Sequence, residues 1–463
     1  MIEFHPITLE DRALIESYTH DSEIRNCDLS FANMYCWQPT YKSAWAVVEG
    51  YLVIRFYIDG GEKIGYMQPI GDGGCQDFTC IIPELAQDAH SHGDRLRIIG
   101  ITERGRDSIM ALGIESFAFH SDPCFEDYIY LRESLATLSG KRLQPKRNHI
   151  NQLLKRYPNY EYRPLTPTDY EACLALDCRW RRERGECCKE MTAERIAILR
   201  AFDNFEALDL RGGVLYIDGE LRAFTYGSAI NGDTFCTHIE KADSSINGCY
   251  SIINRLFAES LPPHFRYVNR EEDLGIEGLR RAKLSYYPDH KQRKYTAIYI
   301  HHDESECRRL WQSVFCDEEL FIDEFIINHY SQHRMLRVTD RDNRYLSMLH
   351  IIPFESEVGR VAYIYGVATH PDFRGRGYSS QLMAKAMEMI RRDGFAVAAL
   401  IPSEEWLKSY YAKFGFEEGG MITFESYNNF DFGQGDPSLD RGMVCVIAEA
   451  LNIDRDKPLH LSR

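Results

Sequence analysis

Val361-Ala362-Tyr363-Ile364-Tyr365-Gly366-Val367-Ala368-Thr369 is a run of β-branched, aromatic and small residues without charge, and Arg374-Gly375-Arg376-Gly377-Tyr378-Ser379 follows it. The run predicts a buried strand that Pro371 ends. After the glycines, apolar residues recur every three or four positions up to Gly394, which is typical of an amphipathic helix with a glycine stop. These residues are Leu382, Met383, Ala386, Met387 and Ile390. The stretch therefore predicts a strand, a glycine turn (residues 374–379) and a helix.

The glycine turn has the features of an anion site. Two glycines let the backbone approach a ligand closely, and the free N–H groups and dipole at a helix start favour an anion such as pyrophosphate. Arg374 and Arg376 add positive charge. Similar strings occur in ordinary loops, so the turn alone leaves a simple βαβ crossover as the alternative interpretation.

A second motif follows, on the strand and the helix that come next in the chain. Residues 395–401 predict a strand, and a helix then leads to Tyr411-Ala412-Lys413-Phe414-Gly415-Phe416. The two motifs together resemble the GNAT acyltransferases, whose pyrophosphate loop reads R/Q-x-x-G-x-G/A and whose later helix commonly reads Y-x-K-x-G-F. Arg374, Gly377 and Ser379 match the loop, with serine in place of the last glycine or alanine.

The resemblance implies an N-acyltransferase of α/β (α+β) fold that takes an acetyl group from acetyl-CoA. It assigns acetyl-CoA to the end of the strand and to the glycine turn, through Val367, Ala368, Thr369, Arg374, Gly375, Arg376, Gly377, Tyr378 and Ser379. The reaction must also return a proton to the departing thiolate. Tyr411 is the candidate acid, because the pKa of tyrosine, ordinarily near about 10, is close to that of a thiol.

Two roles in this mechanism stay open. Tyr411 also fits an aromatic on the apolar face of its helix, like its neighbour Tyr410. No residue stands out as the base that takes the proton of the amine. His350, Glu355 and Glu357 lie on or beside the preceding predicted strand, but such residues are more often ordinary strand or surface positions.

Length and composition limit the classes of protein. A chain of 463 residues is too long for one core and suits about three domains. The net charge of −16 argues against a general nucleic-acid binder, so no DNA partner is expected. The 14 cysteines form no C-x-x-C pairs, which favours reduced thiols. Without a basic leader or a run of about 20 apolar residues, we expect a soluble, cytoplasmic protein with no membrane span.

Internal repetition divides the chain. Residues 5–11 and 163–169 share the pattern x-P-[IL]-T-x-x-D, which predicts a short strand and then a threonine N-cap with an aspartate three positions on. Residues 247–251 stand where the glycine turn stands in the last repeat, with one glycine fewer; the first repeat has no recognisable acyl-CoA motif. We predict three GNAT-like mixed-sheet domains in tandem, the first two forming one unit. Their limits are 1–140, 163–300 and 301–463, with a basic linker helix at 141–162.

Residues 1 to about 300 also resemble the family of the phosphatidylglycerol lysyltransferase C-terminal domain. The matching stretches are 30–37, 140–142, 146–151, 238–242, 269–275 and 282–283. The resemblance implies tandem GNAT-type folds, in agreement with the repeats. It also implies an alternative activity, the transfer of an aminoacyl group from charged tRNA by residues 1–300. A non-catalytic recognition module is the third interpretation. The expected acceptor of the last domain is a small-molecule or peptide amine.

The resemblance to GNAT-type enzymes, which often keep a carboxylate base at this place, makes Glu240 the candidate base of the second repeat. It lies near the end of a predicted strand, and strand alternation places it on the same face as His238. An ion pair with Lys241 or Arg270 is the alternative interpretation. The acidic residues 271–273 either position an amine or precede a helix start, where carboxylates are favoured.

The segment between the first two repeats is strongly basic. Residues 140–163 carry seven lysines and arginines against one acid, Glu161. They predict either a solvated linker helix or a docking surface for tRNA phosphates. No metal is expected, because His301-His302, Cys187-Cys188 and the pair His238 and Glu240 lack the four-ligand spacing of zinc sites.

Overall fold

The computed structural model of the chain describes residues 2–112, 116–185, 192–425, 430, 432, 441–447 and 457–462. The neighbouring residues Cys187 and Cys188, for which no metal site was expected, lie outside the described residues. The chain forms three mixed β-sheets with helices, which confirms the predicted class of three tandem mixed-sheet domains. It separates into two compact units, Met1–Ile114 with Ser121–Ala297, and Glu115–His120 with Ile298–Arg463. Among the described helices, none combines the length and hydropathy that a bilayer crossing requires.

The first sheet contains the N-terminal repeat. Its strands are β1 (His5–Pro6), β2 (Ala44–Val48), β3 (Tyr51–Ile58), β4 (Lys63–Met67), β5 (Ile70–Gly71) and β6 (Arg97–Ile101). Its helices are α1 (Arg12–Thr19), α2 (Phe31–Tyr41), α3 (Ile82–Ser91) and α4 (Glu103–Ala111). The strand order is β1-β2-β3-β4-β6, with β5 beside β3. The pair β4 and β6 is parallel, and the others are antiparallel.

The second sheet contains the second repeat and one strand from the first. After β7 (Phe117–His120), which belongs to the other compact unit, its strands are β8 (Asp127–Leu131), β9 (Tyr160–Pro164), β10 (Arg211–Ile217), β11 (Glu220–Ala229), β12 (Thr234–Ala242), β13 (Tyr267–Asn269) and β14 (His290–Gln292). Its helices are α5 (Arg132–Thr137), α6 (Gln144–Arg156), α7 (Tyr170–Glu183), α8 (Ala193–Asp203), α9 (Cys249–Ser260) and α10 (Glu277–Leu284). The order is β14-β8-β13-β12-β11-β10-β9. Because β8 precedes residue 140 and pairs with β13 and β14, the two repeats share a sheet.

The third sheet lies in the second compact unit. The boundary between the units falls within β15 (Tyr295–Tyr299). The helices that follow are α11 (His302–Phe315), α12 (Glu319–Asn328), α13 (Tyr378–Arg392) and α14 (Glu405–Ala412). The strands are β16 (Met335–Thr339), β17 (Tyr345–Phe354), β18 (Val361–Thr369), β19 (Val397–Leu400), β20 (Glu417–Phe424), β21 (Arg441–Val446) and β22 (Leu459–Leu461). Their order is β16-β17-β18-β19-β21-β20-β22.

Local sequence signals explain where several elements begin and end. Short 3-10 helices lie at Leu9–Asp11, Cys27–Leu29, Asp59–Gly61, Asp72–Gly74, Thr79–Ile81, Pro123–Phe125, Pro167–Asp169 and Pro371–Phe373. The predicted capping pairs are present in both repeats. The carboxylate of Asp11 accepts from the backbone N–H of Thr8 at 2.7 Å, and that of Asp169 accepts from Thr166 at 2.9 Å. Each pair satisfies N–H groups at a helix start.

The predicted strand and helix around the glycine turn are confirmed. β18 occupies residues 361–369 as predicted, and the five apolar residues of α13 are buried. They pack on one face of the third sheet with Tyr411 and Phe416, while an aromatic cluster with Trp311, Phe325 and Tyr363 covers the other face. The strand predicted at residues 395–401 is shorter, since pairing is limited to residues 397–400.

Candidate functional site

β18 extends beyond its parallel neighbour. The pairing of β18 with β19 ends at Tyr363 and Ala399, whereas β18 continues to Thr369. A bulge between Met348 and His350 of β17 lies opposite this extension, with Gly366 at φ +60°. The edge of residues 366–369 that faces β19 therefore has no strand partner in the described part of the third sheet. We name this gap the β18–β19 cleft.

The glycine turn opens at the N-terminus of α13, directly after this cleft. Gly375 and Gly377 have φ values of +76° and +80°, and a Cβ atom built on either would meet no atom within 4 Å. Arg374 and Arg376 are exposed, and among the described residues no carboxylate pairs with either of them. Free amide donors, the dipole of a 15-residue helix and two unpaired cations make this an anion-binding geometry.

The corresponding turn of the second repeat is closed. Gly248 also has a positive φ, +91°, and precedes α9, but a Cβ atom built there would meet the carbonyl oxygen of His149 at 2.6 Å. His149 belongs to α6, the basic helix between the repeats, which packs on α9. Because α6 covers the start of α9, that helix start does not offer the open amides found at α13.

The two adjacent tyrosines of α14 have different surroundings. Tyr411, the predicted acid, is 6% exposed in the core beneath α13, and burial raises its pKa above the ordinary value for tyrosine. The hydroxyl of Tyr410 donates to Oγ of Ser379, a residue of the glycine turn, at 3.0 Å. From the sequence, Tyr410 was expected only as a core aromatic, so this link from α14 to the turn was missed.

The candidate bases of the last domain do not meet at the turn. His350 is buried among the rings of Trp311 and Phe325, and burial lowers its pKa to about 3. It is therefore neutral at pH 7. Glu355 and Glu357 are exposed. The geometry assigns the role of base to none of the three.

The second repeat has a cleft at the equivalent place, the β12–β13 cleft, and charged side chains occupy it. β12 pairs in parallel with β13 only from Thr234 to Cys236. Beyond that point, Glu240 accepts from Nη2 of Arg270 at 2.8 Å and from Nδ2 of Asn254 at 2.9 Å. The alternative interpretation of Glu240, an ion pair with Arg270, thus corresponds to an observed contact.

His238 and Glu240 do not share a face, contrary to the prediction from alternation. The register between β11 and β12 shifts at His238, which lies between the paired residues Thr237 and Ile239. Such a bulge changes the direction of the side chains that follow. His238 consequently contacts Ser30 at the start of α2, whereas Glu240 bonds to α9 on the other side of the sheet.

The basic segment is packed against the second repeat. Ile150 and Leu153 of α6 are buried, as the predicted apolar stripe requires. Nζ of Lys146 lies 4.0 Å from the ring centroid of Tyr286, and burial, followed by the charge of Arg270, lowers the pKa of Lys146 to about 8. Arg147 donates to the carbonyl oxygens of residues 138 and 140. Part of the positive charge of this helix therefore serves internal contacts.

A buried cluster of carboxylates around Lys294 was not anticipated from the sequence. Nζ of Lys294 lies 3.1 Å from Asp127 and 3.3 Å from Asp28, and it also contacts Glu272. Burial, together with the neighbouring Asp127 and Asp28, raises the pKa of Glu272 to about 7, against the opposing effect of Lys294. These residues are far apart in the chain, so no local pattern joins them.

Cys236, His238 and Glu271 form a second unanticipated cluster, whose possible ligand atoms all lie within 4.8 Å of one another. Asp273, the last residue of the predicted acidic run, instead pairs with Arg280 of α10 at 2.9 Å. The run thus contributes both to a polar cluster and to a helix contact.

Comparison with known proteins agrees with both halves of this description. Residues 19–298 match the family described as phosphatidylglycerol lysyltransferase, C-terminal, and residues 299–419 match the acetyltransferase (GNAT) domain. A conserved protein of unknown function from Bacteroides thetaiotaomicron VPI-5482 has a crystal structure that is 44% identical, with a TM-score of 0.61; the match covers 65% of this chain and 100% of that one.

Two curated relatives match smaller parts of the chain. An S-alkylcysteine N-acetyltransferase of Bacillus subtilis is 26% identical over 131 residues, which are 27% of this chain and 68% of that protein. An uncharacterized protein of Mycoplasmoides gallisepticum is 26% identical over 181 residues, 38% of this chain. The latter match spans only 56% of the relative's own length.

Proposed function

The chain belongs to the phosphatidylglycerol lysyltransferase C-terminal family, with a GNAT acetyltransferase domain C-terminal to the family region, and we propose that this last domain transfers the acetyl group of acetyl-CoA to an amine. Acyl transfer is the general reaction that the GNAT domain supports. The proposal goes further than acyl transfer in two respects: the acyl group is acetyl, and the acceptor is an amine on a small molecule or a peptide.

The open glycine turn carries the proposal. The amides of residues 375–379 would receive the pyrophosphate of acetyl-CoA, and Arg374 and Arg376 would add charge. The unpaired edge of Val367 to Thr369 lies next to the turn and would bond the amides of the pantetheine arm. Both features are present in the last domain, whereas the turn at Gly248 is covered.

The chemistry requires few side chains. The amine loses a proton, its nitrogen attacks the thioester carbonyl carbon, and the C–S bond breaks to release a thiolate that must be protonated. We assign this last step to Tyr411. Burial raises its pKa, so the hydroxyl keeps its proton at neutral pH but is a weaker acid toward the thiolate than an exposed tyrosine. Tyr410 is the competing acid, because its hydroxyl is bonded to the turn at Ser379.

The test uses the full chain, since Glu115–His120 belongs to the same compact unit as the last domain. Acetyl-CoA is titrated calorimetrically, with pantetheine, which lacks the pyrophosphate, as the control. We expect saturable binding of acetyl-CoA and much weaker binding of pantetheine. A panel of polyamines, amino acids, aminoglycosides and peptides is then screened for thiol release. Absence of acetyl-CoA binding at millimolar concentration would refute the proposal.

For residues 1–300 a second candidate activity is aminoacyl transfer from charged tRNA. Membership of the lysyltransferase family favours it, and so does the charged β12–β13 cleft with Lys146 beside it. Binding of charged and uncharged tRNA to the full chain at several salt concentrations would test it. Binding without any aminoacyl transfer to amines would favour the recognition-module interpretation.

A further inference from the structure

Cys236, His238 and Glu271 converge on one point in the first compact unit. Sγ of Cys236 lies 3.6 Å, and Nδ1 of His238 lies 3.1 Å, from Oε1 of Glu271. A zinc ion with bonds of about 2.0 to 2.3 Å holds its tetrahedral ligands about 3 to 4 Å apart. Both separations from Glu271 fall in this range, and the third, between Cys236 and His238, lies within 4.8 Å.

The second ring nitrogen of His238, Nε2, makes a hydrogen bond of the kind that histidine ligands of metals usually make. Nε2 lies 2.8 Å from Oγ of Ser228, whose hydroxyl is in turn 2.7 Å from Oγ of Ser30. A bond of this kind fixes the orientation of the ring and leaves Nδ1 free to coordinate. His238 also sits at the bulge of β12, a feature that commonly redirects side chains beside functional sites.

The backbone of Glu271 also has an unusual conformation. Its φ is +57°, in the left-handed region that residues other than glycine seldom adopt. Its N–H donates to Oδ1 of Asn269 at 2.6 Å, and its carboxylate also accepts from Nδ2 of Asn33 at 3.3 Å. Such a conformation costs about 1–3 kcal/mol and persists where surrounding structure enforces it, often at ligand sites.

The surroundings carry more negative than positive charge. Four carboxylates lie in or beside this region, on Asp28, Asp127, Glu271 and Glu272, and Lys294 pairs with the three other than Glu271. Among the described ion pairs, the carboxylate of Glu271 has only His238 as a partner, and the buried ammonium of Lys283 acts on it at longer range. The carboxylate of Glu271 is 27% exposed and faces an imidazole and a thiol, a set of donors that can hold a positive ion.

We propose that Cys236, His238 and Glu271 bind a divalent ion of the zinc class. A thiolate, an imidazole and a carboxylate favour such an ion over the oxygen-preferring Mg²⁺ and Ca²⁺. Three protein ligands leave a fourth position, and the cluster lies where β12 and β13 cease to pair. That position would take water or a carbonyl oxygen of a bound molecule. The inference is independent of the acetyl-CoA proposal.

The test uses the full chain after removal of metal with a chelator. Co²⁺ is titrated and followed by its d–d absorption and by the near-ultraviolet charge-transfer band that reports a thiolate ligand; Zn²⁺ then competes. We expect one ion per chain and a charge-transfer band. Cys236→Ser should abolish that band, and His238→Gln and Glu271→Gln should weaken affinity by about 100-fold or more.

Cys173→Ser is the matched control, because Cys173 is a buried free thiol of the same unit outside the cluster. It should keep both the affinity and the band. Glu271→Gln preserves the shape of a partly exposed side chain, so it remains informative if a buried substitution impairs folding. Wild-type protein that binds no Co²⁺ with a thiolate band, or a band retained in folded Cys236→Ser, would overturn the assignment.

Discussion

Gly377→Glu is the sharpest perturbation of the glycine turn. Gly377 is the N-cap of α13, and open space surrounds the position of a Cβ atom there. A glutamate side chain would extend into that space, where the pyrophosphate is proposed to bind, and would also attract Arg374 and Arg376. Both effects oppose an anionic ligand without disturbing the core beneath α13.

The size of the effect follows from charge and distance. Two unit charges about 4 Å apart repel by about 1 kcal/mol in bulk water and about 4 kcal/mol at the effective dielectric constant of a protein surface. Even about 2 kcal/mol weakens the Kd for CoA by roughly 30-fold. The left-handed backbone at Gly377 adds a separate cost of roughly 1–2 kcal/mol to folding.

Gly394→Glu separates these two costs. Gly394 follows the other end of α13 with φ +72°, and a Cβ atom built there would meet no atom within 4 Å, so the backbone strain and the added charge are the same. Calorimetric titration of free CoA into both full-length variants gives the two Kd values. We expect a larger loss of thermal stability in Gly394→Glu, whose carboxylate lies at the negative end of the dipole of α13, but a Kd for CoA at least roughly 30-fold weaker in Gly377→Glu alone. Equal CoA affinity in the two variants would refute the reasoning.

Three further predictions concern side chains at or near the two candidate sites. If Tyr411 protonates the thiolate, Tyr411→Phe should lower turnover by about 10²–10⁴-fold with little change in CoA affinity, and Tyr410→Phe should not; the reverse pattern would transfer the role to Tyr410. Burial lowers the pKa of His350 to about 3, so the unfolded chain takes up a proton below about pH 6.5 that the folded chain does not, and stability falls as pH falls. The free energy of unfolding, measured with urea, should fall by about 2 kcal/mol between pH 7 and 5 for this reason. This loss should disappear in His350→Phe but remain in the surface control His333→Phe. Because the pKa of Lys146 is lowered to about 8, its reaction with an amine reagent, followed by mass spectrometry, should be half-maximal near pH 8, whereas a free lysine amine has a pKa of about 10. A profile like that of a free amine would contradict its buried environment.

Several features were predictable because neighbouring residues decide them. The limits of β18, the buried stripe of α13 and the capping pairs of Thr8 and Thr166 depend on periodicity and on contacts within a few positions. The glycine turn likewise depends on residues adjacent in the chain. The candidate cofactor residues could therefore be named from the sequence, and their roles remain predictions until CoA binding is measured.

Contacts between distant residues were not predictable in this way. Lys294 and Asp127 are 167 positions apart, and Cys236 and Glu271 are 35 apart. They meet because strands pair non-locally and because β8 joins the sheet of the second repeat. The bulge at His238 also reversed the face expected from alternation, since a single extra residue shifts the register.

Residues adjacent in the chain were enough to place a glycine turn before a helix at both Gly248 and Gly377. Which of the two turns is open became visible only in the folded chain. At Gly377 no atom lies within reach of a Cβ atom, whereas at Gly248 the backbone of His149 in α6 fills that space. The physical reason is that the amides at a helix start can bind an anion only where no other part of the chain packs over them, and that packing depends on the path of the whole chain.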